Sequence, residues 1–446
     1  MMRIAGVAGL VLVLATGAFA QQADQPLLSG EKAFGDWKAD RPGVRRLLKP
    51  DDLQKPYLTK SASNSTGVAD RPEGAAPVLP RGFSAKLIAS GLPNPRVVRV
   101  APNGDLFVAD SNEDRVLVYR LAGNNAKPAR EAKFAHYLNQ PYGIAFYPPG
   151  DKPQWVYVAN TDSVVRFAYR DGDLKASDDP EIIVSGIPTG GHGTRDIAFS
   201  PDGKTLYVSV GSETNVAEGM AAKPDGGIDA WARSMPLGAA WDSEEGRADV
   251  LAFDPDGKNR RVVATGLRNC SGMTVQPGTG ALWCVVNERD GLGDNVPFDY
   301  ATTVRDGAFY GWPWYYIGAN EDPRHAGARP DLADKVALPD VVIQAHSAPL
   351  NIAFYDGDNF PSDYRGDAFV ALHGSWNRGQ RTGYKVVRLK FKDGKPTGEY
   401  EDFATGFVIS DDEVWGRPVG VAVAKDGALI VTEDANGTIW RITYGG

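Results

Sequence analysis

The stretch Ser200-Pro-Asp-Gly-Lys-Thr-Leu-Tyr-Val-Ser209 recurs as Ala101-Pro-Asn-Gly-Asp-Leu-Phe-Val-Ala-Asp110 and as Ala424-Lys-Asp-Gly-Ala-Leu-Ile-Val-Thr-Glu433. In each copy a Pro/Asp/Gly turn leads into an apolar run, as in a β-hairpin. Diverged copies begin near Tyr147, Gln276 and Tyr355. A unit repeated at roughly fifty to eighty residues predicts an all-β fold, a six-bladed β-propeller of four-stranded antiparallel blades.

The strand that enters each turn aligns on its own apolar alternation. The six predicted strands are residues 96–100, 142–146, 195–199, 271–275, 350–354 and 419–423. We interpret them as the innermost strands, packed around a central channel. The residues just before them should then converge on one mouth of that channel.

The chain divides into three parts. Arg3, an apolar run and Ala18-Phe19-Ala20 give residues 1–20 the form of a cleavable signal peptide, which predicts a periplasmic or secreted protein rather than an integral membrane protein. Residues 21–82 are rich in Pro, Asp, Lys and Ser and are interpreted as an extended N-terminal arm. Residues 83–446 form the predicted propeller domain.

The net charge and the cysteine content exclude some classes of function. The net charge is −8 and the basic residues are scattered, so a nucleic-acid partner is not expected. Cys270 and Cys284 flank Gly278-Thr279-Gly280, which predicts a cross-strand disulfide, with buried thiols as the alternative. No Cys-x-x-Cys-His sequence occurs, so no c-type haem is attached.

Cations, imidazoles and amides occupy the predicted mouth, where a structural ring would carry small or apolar residues. The entry positions are Arg96, Tyr142, His192, Arg195, Arg268, Asn269, His346 and Arg417. Three of the five histidines, namely His192, His346 and His373, lie close to these positions. Such a cluster suits a polyanionic ligand.

Two further segments stand out. The loop 287–295 is rich in carboxylates and carbonyls and follows a predicted strand, which suits calcium but is equally compatible with an ordinary solvated loop. Tyr310-Gly-Trp-Pro313 is a compact aromatic turn that either packs or stacks on a ligand.

The ordered set of motifs resembles the PQQ-dependent soluble aldose dehydrogenases, and among them most the L-sorbosone dehydrogenase branch. The motifs that carry the resemblance are Gly191-His-Gly-Thr-Arg195, Gly266-Leu-Arg-Asn269, Asn287-Glu-Arg-Asp290, Tyr310-Gly-Trp-Pro313 and His373-Gly-Ser-Trp-Asn-Arg378. The resemblance covers about residues 83 to 446.

The resemblance implies roles for four residues. His192 matches the general base that removes the proton of the substrate hydroxyl. Arg268 matches the arginine beside the reactive quinone carbonyl, and Asn269 matches a cofactor-contacting neighbour. Arg417 matches an arginine that pairs with a PQQ carboxylate.

The remaining positions are partly departures from the family pattern. The backbone carbonyls of Arg289 and Asp290 match calcium ligands. His346 stands where the glucose-oxidising branch has a hydroxyl residue. A lysine of that branch has no counterpart in the segment 373–378, where His373 is favoured over Trp376 or Arg378 as the replacement.

The predicted activity is therefore oxidation of a sugar-like aldehyde or alcohol, of aldose or sorbosone type, with PQQ and Ca²⁺. Because the chain attaches no haem, a separate cytochrome or quinone-linked acceptor is implied. The alternatives are a calcium-dependent propeller lactonase or other hydrolase, and a non-catalytic binding propeller. The hydrolase should place carboxylates and asparagines around the channel, whereas the entry positions are cationic.

Overall fold

The computed structural model describes residues 26–123 and 127–445. The predicted signal peptide, residues 1–20, lies outside the described residues. Four strands precede the first complete blade: β1 (Leu27–Ser29), β2 (Arg45–Leu47), β3 (Gly67–Val68) and β4 (Phe83–Ala89).

Blades one to three follow in chain order, and the four strands of each blade pair antiparallel; the sheet of blade three gains a fifth, parallel strand from a later segment, Ala308–Phe309. Blade one contains β5 (Pro95–Val100), β6 (Leu106–Asp110), β7 (Arg115–Leu121) and β8 (Pro128–Ala135). Blade two contains β9 (Ile144–Tyr147), β10 (Trp155–Ala159), β11 (Val164–Ala168) and β12 (Glu181–Val184). Blade three contains β13 (Ile197–Phe199), β14 (Leu206–Val210), β15 (Asp249–Phe253) and β16 (Arg261–Thr265).

Blade four carries an insertion between its third and fourth strands. It begins with β17 (Cys270–Val275), β18 (Leu282–Val286) and β19 (Asp299–Thr303). The insertion holds β20 (Ala308–Phe309), β21 (Tyr315–Tyr316) and β22 (Asn320–Glu321), and the blade ends with β23 (Val341–Ile343).

Blades five and six complete the chain. Blade five contains β24 (Pro349–Phe354), β25 (Ala368–Leu372), β26 (Lys385–Lys392) and β27 (Lys395–Ala404). After β28 (Glu413–Val414) come β29 (Pro418–Val423), β30 (Leu429–Glu433) and β31 (Thr438–Tyr444) of blade six. The fourth strand of this blade is β4, which pairs antiparallel with β31, so strands from both ends of the chain close the ring.

Helices are short in the described residues. The α-helix α1 (Ile228–Ser234) lies in the connection between β14 and β15. The 3₁₀ turns are Gly30–Ala33, Trp37–Ala39, Pro50–Asp52, Ser111–Glu113, Asp242–Glu244, Pro323–His325, Pro330–Leu332 and Ser362–Tyr364. None of the helices in the described ranges has the length and apolar character needed to cross a bilayer.

The predicted six-bladed propeller is confirmed, and its six predicted inner strands are observed as β5, β9, β13, β17, β24 and β29. Each inner strand contacts the next, and β29 contacts β5, so the contacts form a closed circle. The strands next to them are buried on both faces between neighbouring blades, which explains why β18 and β25 are continuous apolar runs.

A polar cluster ties the inner strands together inside the channel. Asp196 accepts two bonds from Arg99 Nη2, at 3.0 and 2.9 Å, and one from the backbone N–H of Met273 at 2.8 Å. These contacts join blades one, three and four across the axis. The buried carboxylate therefore stabilises the positions from which the site residues project.

The arm adds strands to the outside of blade five. β1 pairs parallel with β2, and β2 pairs antiparallel with β27, which makes that sheet six-stranded. Further along, β3 pairs parallel with β28.

The predicted disulfide is confirmed. Cys270 and Cys284 are bonded between β17 and β18, with their Cα atoms 5.8 Å apart. Both residues are buried, and the bond joins the inner strand of blade four to the strand beside it.

Candidate active site

A polar cavity of about 320 Å³ opens at the mouth of the channel. Its lining comes from the starts of the inner strands, from the connections that precede them, and from the segments that follow β18 and β25. The lining residues are Arg96, His192, Arg268, Asn287, Glu288, Asp290, Asp299, His346, Ala348, Leu350, His373, Gly374, Trp376 and Asn377. The volume lies in the range of about 300–1,000 Å³ that is usual for small-molecule sites.

His192 lies in the glycine-rich loop before β13. Its Nδ1 is 3.0 Å from the carbonyl oxygen of Ser212 and 3.0 Å from Ser212 Oγ. Ser212 Oγ donates its own proton to the carbonyl of Thr214, 2.7 Å away, so both Ser212 oxygens act as acceptors. We therefore assign the proton of His192 to Nδ1, which leaves Nε2 with a lone pair.

The electrostatics keep His192 neutral. Burial, together with the cation of Arg268, lowers the pKa of His192 to about 3. A neutral imidazole with one nitrogen held by the backbone and the other available as an acceptor has the form required of a general base.

The backbone around His192 is closely packed. A Cβ on Gly211 would stand 2.6 Å from His192 Cβ and 2.7 Å from Asn269 Oδ1. Arg195 donates to the carbonyls of Thr194 and Pro188, at 2.7 and 2.6 Å. Arg195 therefore fixes the loop that carries the histidine rather than facing the cavity.

Arg268 is held by a ring of oxygen acceptors. Its Nε donates to the carbonyl of Asn215 at 2.9 Å, and its Nη2 donates to Asn215 Oδ1 at 3.0 Å. Its Nη1 donates to the carbonyls of Asn287 and Glu288, at 3.2 and 2.9 Å. A guanidinium has five N–H groups, so these bonds fix the side chain and leave one N–H of Nη2 for a ligand.

Carboxyl groups also line the cavity, beside the cations, imidazoles and amides that the sequence predicts at the entry positions. Glu288 and Asp299 are buried, and loss of hydration raises their pKa values to about 8 and about 7. Glu288 Oε1 makes no hydrogen bond. Glu288 follows β18 and belongs to the carboxylate-rich loop 287–295 that the sequence singles out, whereas Asp299, at the start of β19, is not among the predicted residues.

His346 has both ring nitrogens occupied by neighbours. Its Nε2 is 2.8 Å from the carbonyl of Gly293 and its Nδ1 is 3.0 Å from Asn377 Nδ2. Asn377 Nδ2 also donates to Asp290 Oδ1. Burial lowers the pKa of His346. His346 thus lines the cavity as a neutral ring that orders its wall.

The three residues of the segment 373–378 that were candidates for a cofactor contact lie in different places. His373 and Trp376 line the cavity. Arg378 is buried elsewhere, where it donates to the carbonyl of Gly35 in the arm at 2.8 Å and to Asn295 Oδ1 at 2.9 Å. Its role is to attach the arm.

Three other predicted residues lie beside the cavity rather than in its lining. Asn269 is close to Gly211, behind His192. Arg289 donates to Asp322 at 3.1 Å, toward the insertion of blade four. Arg417 donates through Nε to Asp434 Oδ1 at 2.9 Å. Asp434 was not a candidate from the sequence, because an acidic residue at a strand end is usually only solvated.

The proposed calcium ligands are partly engaged by protein groups. The carbonyl of Asp290 accepts a bond from Asn215 Nδ2 at 3.1 Å, which leaves its second lone pair. Within residues 26–123 and 127–445, no group of three or more His, Cys, Asp or Glu side chains is arranged to hold a metal ion. A site made from these residues would rely on backbone oxygens.

The protein is a six-bladed propeller with a cavity at the mouth of its channel. The buried imidazole of His192 and the guanidinium of Arg268, which hydrogen bonds fix in place, line this cavity. A family model described as TrAA12-like matches residues 77–303 and 329–445, and the chain belongs to this family. Most of the arm lies outside the matched residues.

Two individual relatives are similar to this chain. The pyrroloquinoline quinone-dependent sugar dehydrogenase of Hypocrea jecorina (strain QM6a) is 24% identical over 412 residues, which cover 82% of this chain and 89% of the relative. An uncharacterized protein of Borreliella burgdorferi is 33% identical over 207 residues, covering 44% of this chain. The match spans about half of that relative, 52% of its length.

A solved structure shows the same fold. The holo form of the pyranose dehydrogenase PQQ domain from Coprinopsis cinerea superimposes with a TM-score of 0.65 at 21% identity. The superposition covers 85% of this chain and 99% of that domain.

Proposed function

We propose that this protein is a PQQ-dependent oxidoreductase that oxidises a sugar or a sugar-derived aldehyde or alcohol. The single observation that carries the proposal is the geometry of His192, whose Nδ1 is held by Ser212 and whose Nε2 is left as an acceptor in the cavity. The PQQ-dependent sugar dehydrogenase among the relatives supports the cofactor and the substrate class.

The residues present fit PQQ, which is a planar, polyanionic quinone. The cavity holds the guanidinium of Arg268 and that of Arg96, and one edge is lined by Trp376. When bound, PQQ supplies a quinone that accepts two electrons from the substrate. Cationic groups would bind its carboxylates, with Arg417 proposed for one of them.

The chain's own residues would handle the proton and the charge. His192 Nε2 takes the proton of the substrate hydroxyl, while Ser212 holds the imidazole in the required tautomer. Arg268, fixed by Asn215, presents its remaining N–H where negative charge develops. Asn269 supports the loop beside His192.

Calcium is proposed at the carbonyls of Arg289 and Asp290. The support for it is the oxygen-rich character of this wall, where Glu288 Oε1 has no hydrogen-bond partner. His346 and His373 are proposed as cofactor contacts from the cavity lining.

The finer assignments follow from the sequence. An L-sorbosone-type or other aldose substrate is proposed from the motif order, and a separate electron acceptor is proposed because the chain has no haem attachment sequence. Export is proposed from the signal-peptide pattern of residues 1–20. The disulfide supports this proposal, because such bonds persist in oxidising compartments.

The test is dye-linked oxidation of L-sorbosone and a panel of aldoses by metal-stripped protein, with and without PQQ and Ca²⁺. The proposal expects activity only when PQQ is present, and the calcium assignment expects a further requirement for Ca²⁺. Absence of PQQ binding would refute the proposal.

A hydrolase is the second candidate, because Glu288, Asp290 and Asp299 provide carboxyl groups that a calcium-dependent lactonase would use. Lactone hydrolysis with Ca²⁺ alone would favour it. The same assay without either additive provides the control.

A further inference from the structure

Three positively charged or imidazole groups from three blades meet on one carboxylate at the edge of the cavity. Asp434 Oδ2 accepts a bond from Arg96 Nη1 at 2.6 Å, and Asp434 Oδ1 accepts one from Arg417 Nε at 2.9 Å. His373 Nε2 lies 2.9 Å from Asp434 Oδ1. Arg96 belongs to blade one, His373 follows β25 of blade five, and Arg417 precedes β29 of blade six.

We propose that Asp434 is a positioning residue that holds Arg96, Arg417 and His373 as one anion-binding group for the carboxylates of the cofactor. The inference rests on the proposed function for the identity of the anion. Asp434 itself touches no ligand in this account, because it acts through the three side chains that it binds.

Asp434 is rigidly placed for this role. Its side chain is only 3% exposed. The preceding residue, Glu433, accepts bonds from the backbone N–H groups of Thr438 at 2.9 Å and Ala435 at 2.9 Å, which fixes the turn after β30. A carboxylate on such a turn cannot follow a mobile arginine, so the arginines must adopt the position that it sets.

The arginines keep donors for a ligand. Each binds Asp434 through one nitrogen, and a guanidinium carries five N–H groups. Arg96 also lies over the ring of Tyr142, with its guanidinium carbon 5.5 Å from the ring centre. Two cations and one carboxylate leave the group positive, which suits an anionic ligand.

The decisive comparison uses Asp434→Asn. If Asp434 were only a counter-charge, its neutralisation would make the group more positive and tighten the binding of an anion. The positioning role predicts the opposite result, an affinity for PQQ that falls by about tenfold or more, because two arginines and one histidine lose a charged acceptor.

Two further variants complete the design. Asp434→Glu keeps the charge and should recover part of the lost affinity. Asp426→Asn is the matched control, because Asp426 pairs with Arg441, at 2.6 Å, away from the cavity lining. It should leave PQQ affinity unchanged, and the melting temperatures of all variants report whether they fold.

A second readout needs no cofactor. With five histidines in the chain, long-range ¹H–¹⁵N NMR, assigned with His373→Gln, reports which nitrogen of His373 carries a proton. The contact with Asp434 requires a protonated Nε2.

Failure of the positioning role and failure of the proposed function would give different results. Unchanged or tighter PQQ binding by folded Asp434→Asn, or an unprotonated His373 Nε2 in the wild type, would overturn the positioning role. Wild-type protein that does not bind PQQ would refute the proposed function and with it the identity of the anion. In that case the NMR result would be the remaining test of whether Asp434 holds His373.

Discussion

His192 Nδ1 lies 3.0 Å from the carbonyl oxygen of Ser212, which fixes the tautomer of the only histidine in the loop 188–195. The contact depends on Gly211, because any side chain there would displace the ring. The availability of a base in this cavity is therefore decided by backbone packing as much as by the histidine itself.

Gly211→Ala tests this packing. A Cβ at this position would stand 2.6 Å from His192 Cβ, so the imidazole must move. Since a misplaced catalytic group commonly costs about 100-fold, we expect a loss of that order in kcat of the reconstituted enzyme, measured by dye reduction.

Gly193→Ala is the matched control in the same loop. A Cβ there would meet Thr161 only at ordinary contact distance, 3.7 Å. Its kcat should stay near the wild-type value. Equal losses in the two variants would mean that the loop, rather than the position of His192, determines activity.

The stability of the protein should depend on the protonation of His192. Burial and Arg268 lower the pKa of His192 to about 3, whereas an unfolded histidine titrates near 6.5. Above pH 6.5 both states are neutral; below it the unfolded chain takes up a proton that the folded chain refuses. The free energy of unfolding should therefore fall as pH falls from 6.5 toward 3, by up to about 1.4 kcal/mol per pH unit.

His192→Gln removes this contribution, so its unfolding free energy should fall less steeply over the same interval. Denaturant titrations of both proteins between pH 4 and pH 7 provide the measurement. Parallel curves would contradict the assignment of a neutral buried imidazole.

The arm should be fastened by a buried ionic cluster. Asp402 Oδ1 accepts bonds from Arg46 Nη1 at 2.7 Å and from Lys385 Nζ at 2.8 Å, and the three side chains are at most 2% exposed. Asp402→Ala leaves two buried cations with less compensation. We expect a loss of about 3–5 kcal/mol of unfolding free energy.

Asp256→Ala serves as the control, because its pair with Lys258 is exposed. It should leave stability almost unchanged. A small effect of Asp402→Ala would show that Asp40, which also pairs with Arg46 and Lys385, suffices alone.

The disulfide should contribute to stability through loop closure. Cys270 and Cys284 are separated by 14 positions, and closing a loop of that size is worth about 3 kcal/mol. The double variant Cys270→Ser/Cys284→Ser should lose about that much in denaturant unfolding. An unchanged midpoint would place the stability of blade four in its packing alone.

The propeller was predictable because each blade repeats one hairpin signal and one apolar alternation. The inner strand predicted at 350–354 was observed at Pro349–Phe354, and that predicted at 419–423 at Pro418–Val423. The pairing of β2 with β27 was not predictable, because the arm has little apolar periodicity and its register is set by contacts distant in the chain.

The candidate site was predictable in part. The structure brings His192, Arg268, His346 and His373 to one cavity, because the start of an inner strand and the end of the antiparallel strand beside it lie at the same edge of a blade. Asp434 was missed, and Glu288 was named only as part of the loop 287–295, since a carboxylate gives no sign in the sequence that it will be buried beside a cation. Arg417 was placed at the mouth, but its partner Asp434 was visible only in three dimensions.

The most direct test of the central claim is reduction of bound PQQ by a sugar in a single turnover. Wild-type protein and His192→Gln would be loaded with PQQ, and the absorbance of the cofactor would be followed after mixing with substrate. We expect both proteins to bind PQQ and only the wild type to reduce it rapidly, with a rate lower by about 10²–10⁴ in the variant. Equal rates of reduction, or no binding of PQQ by the wild type, would contradict the central claim.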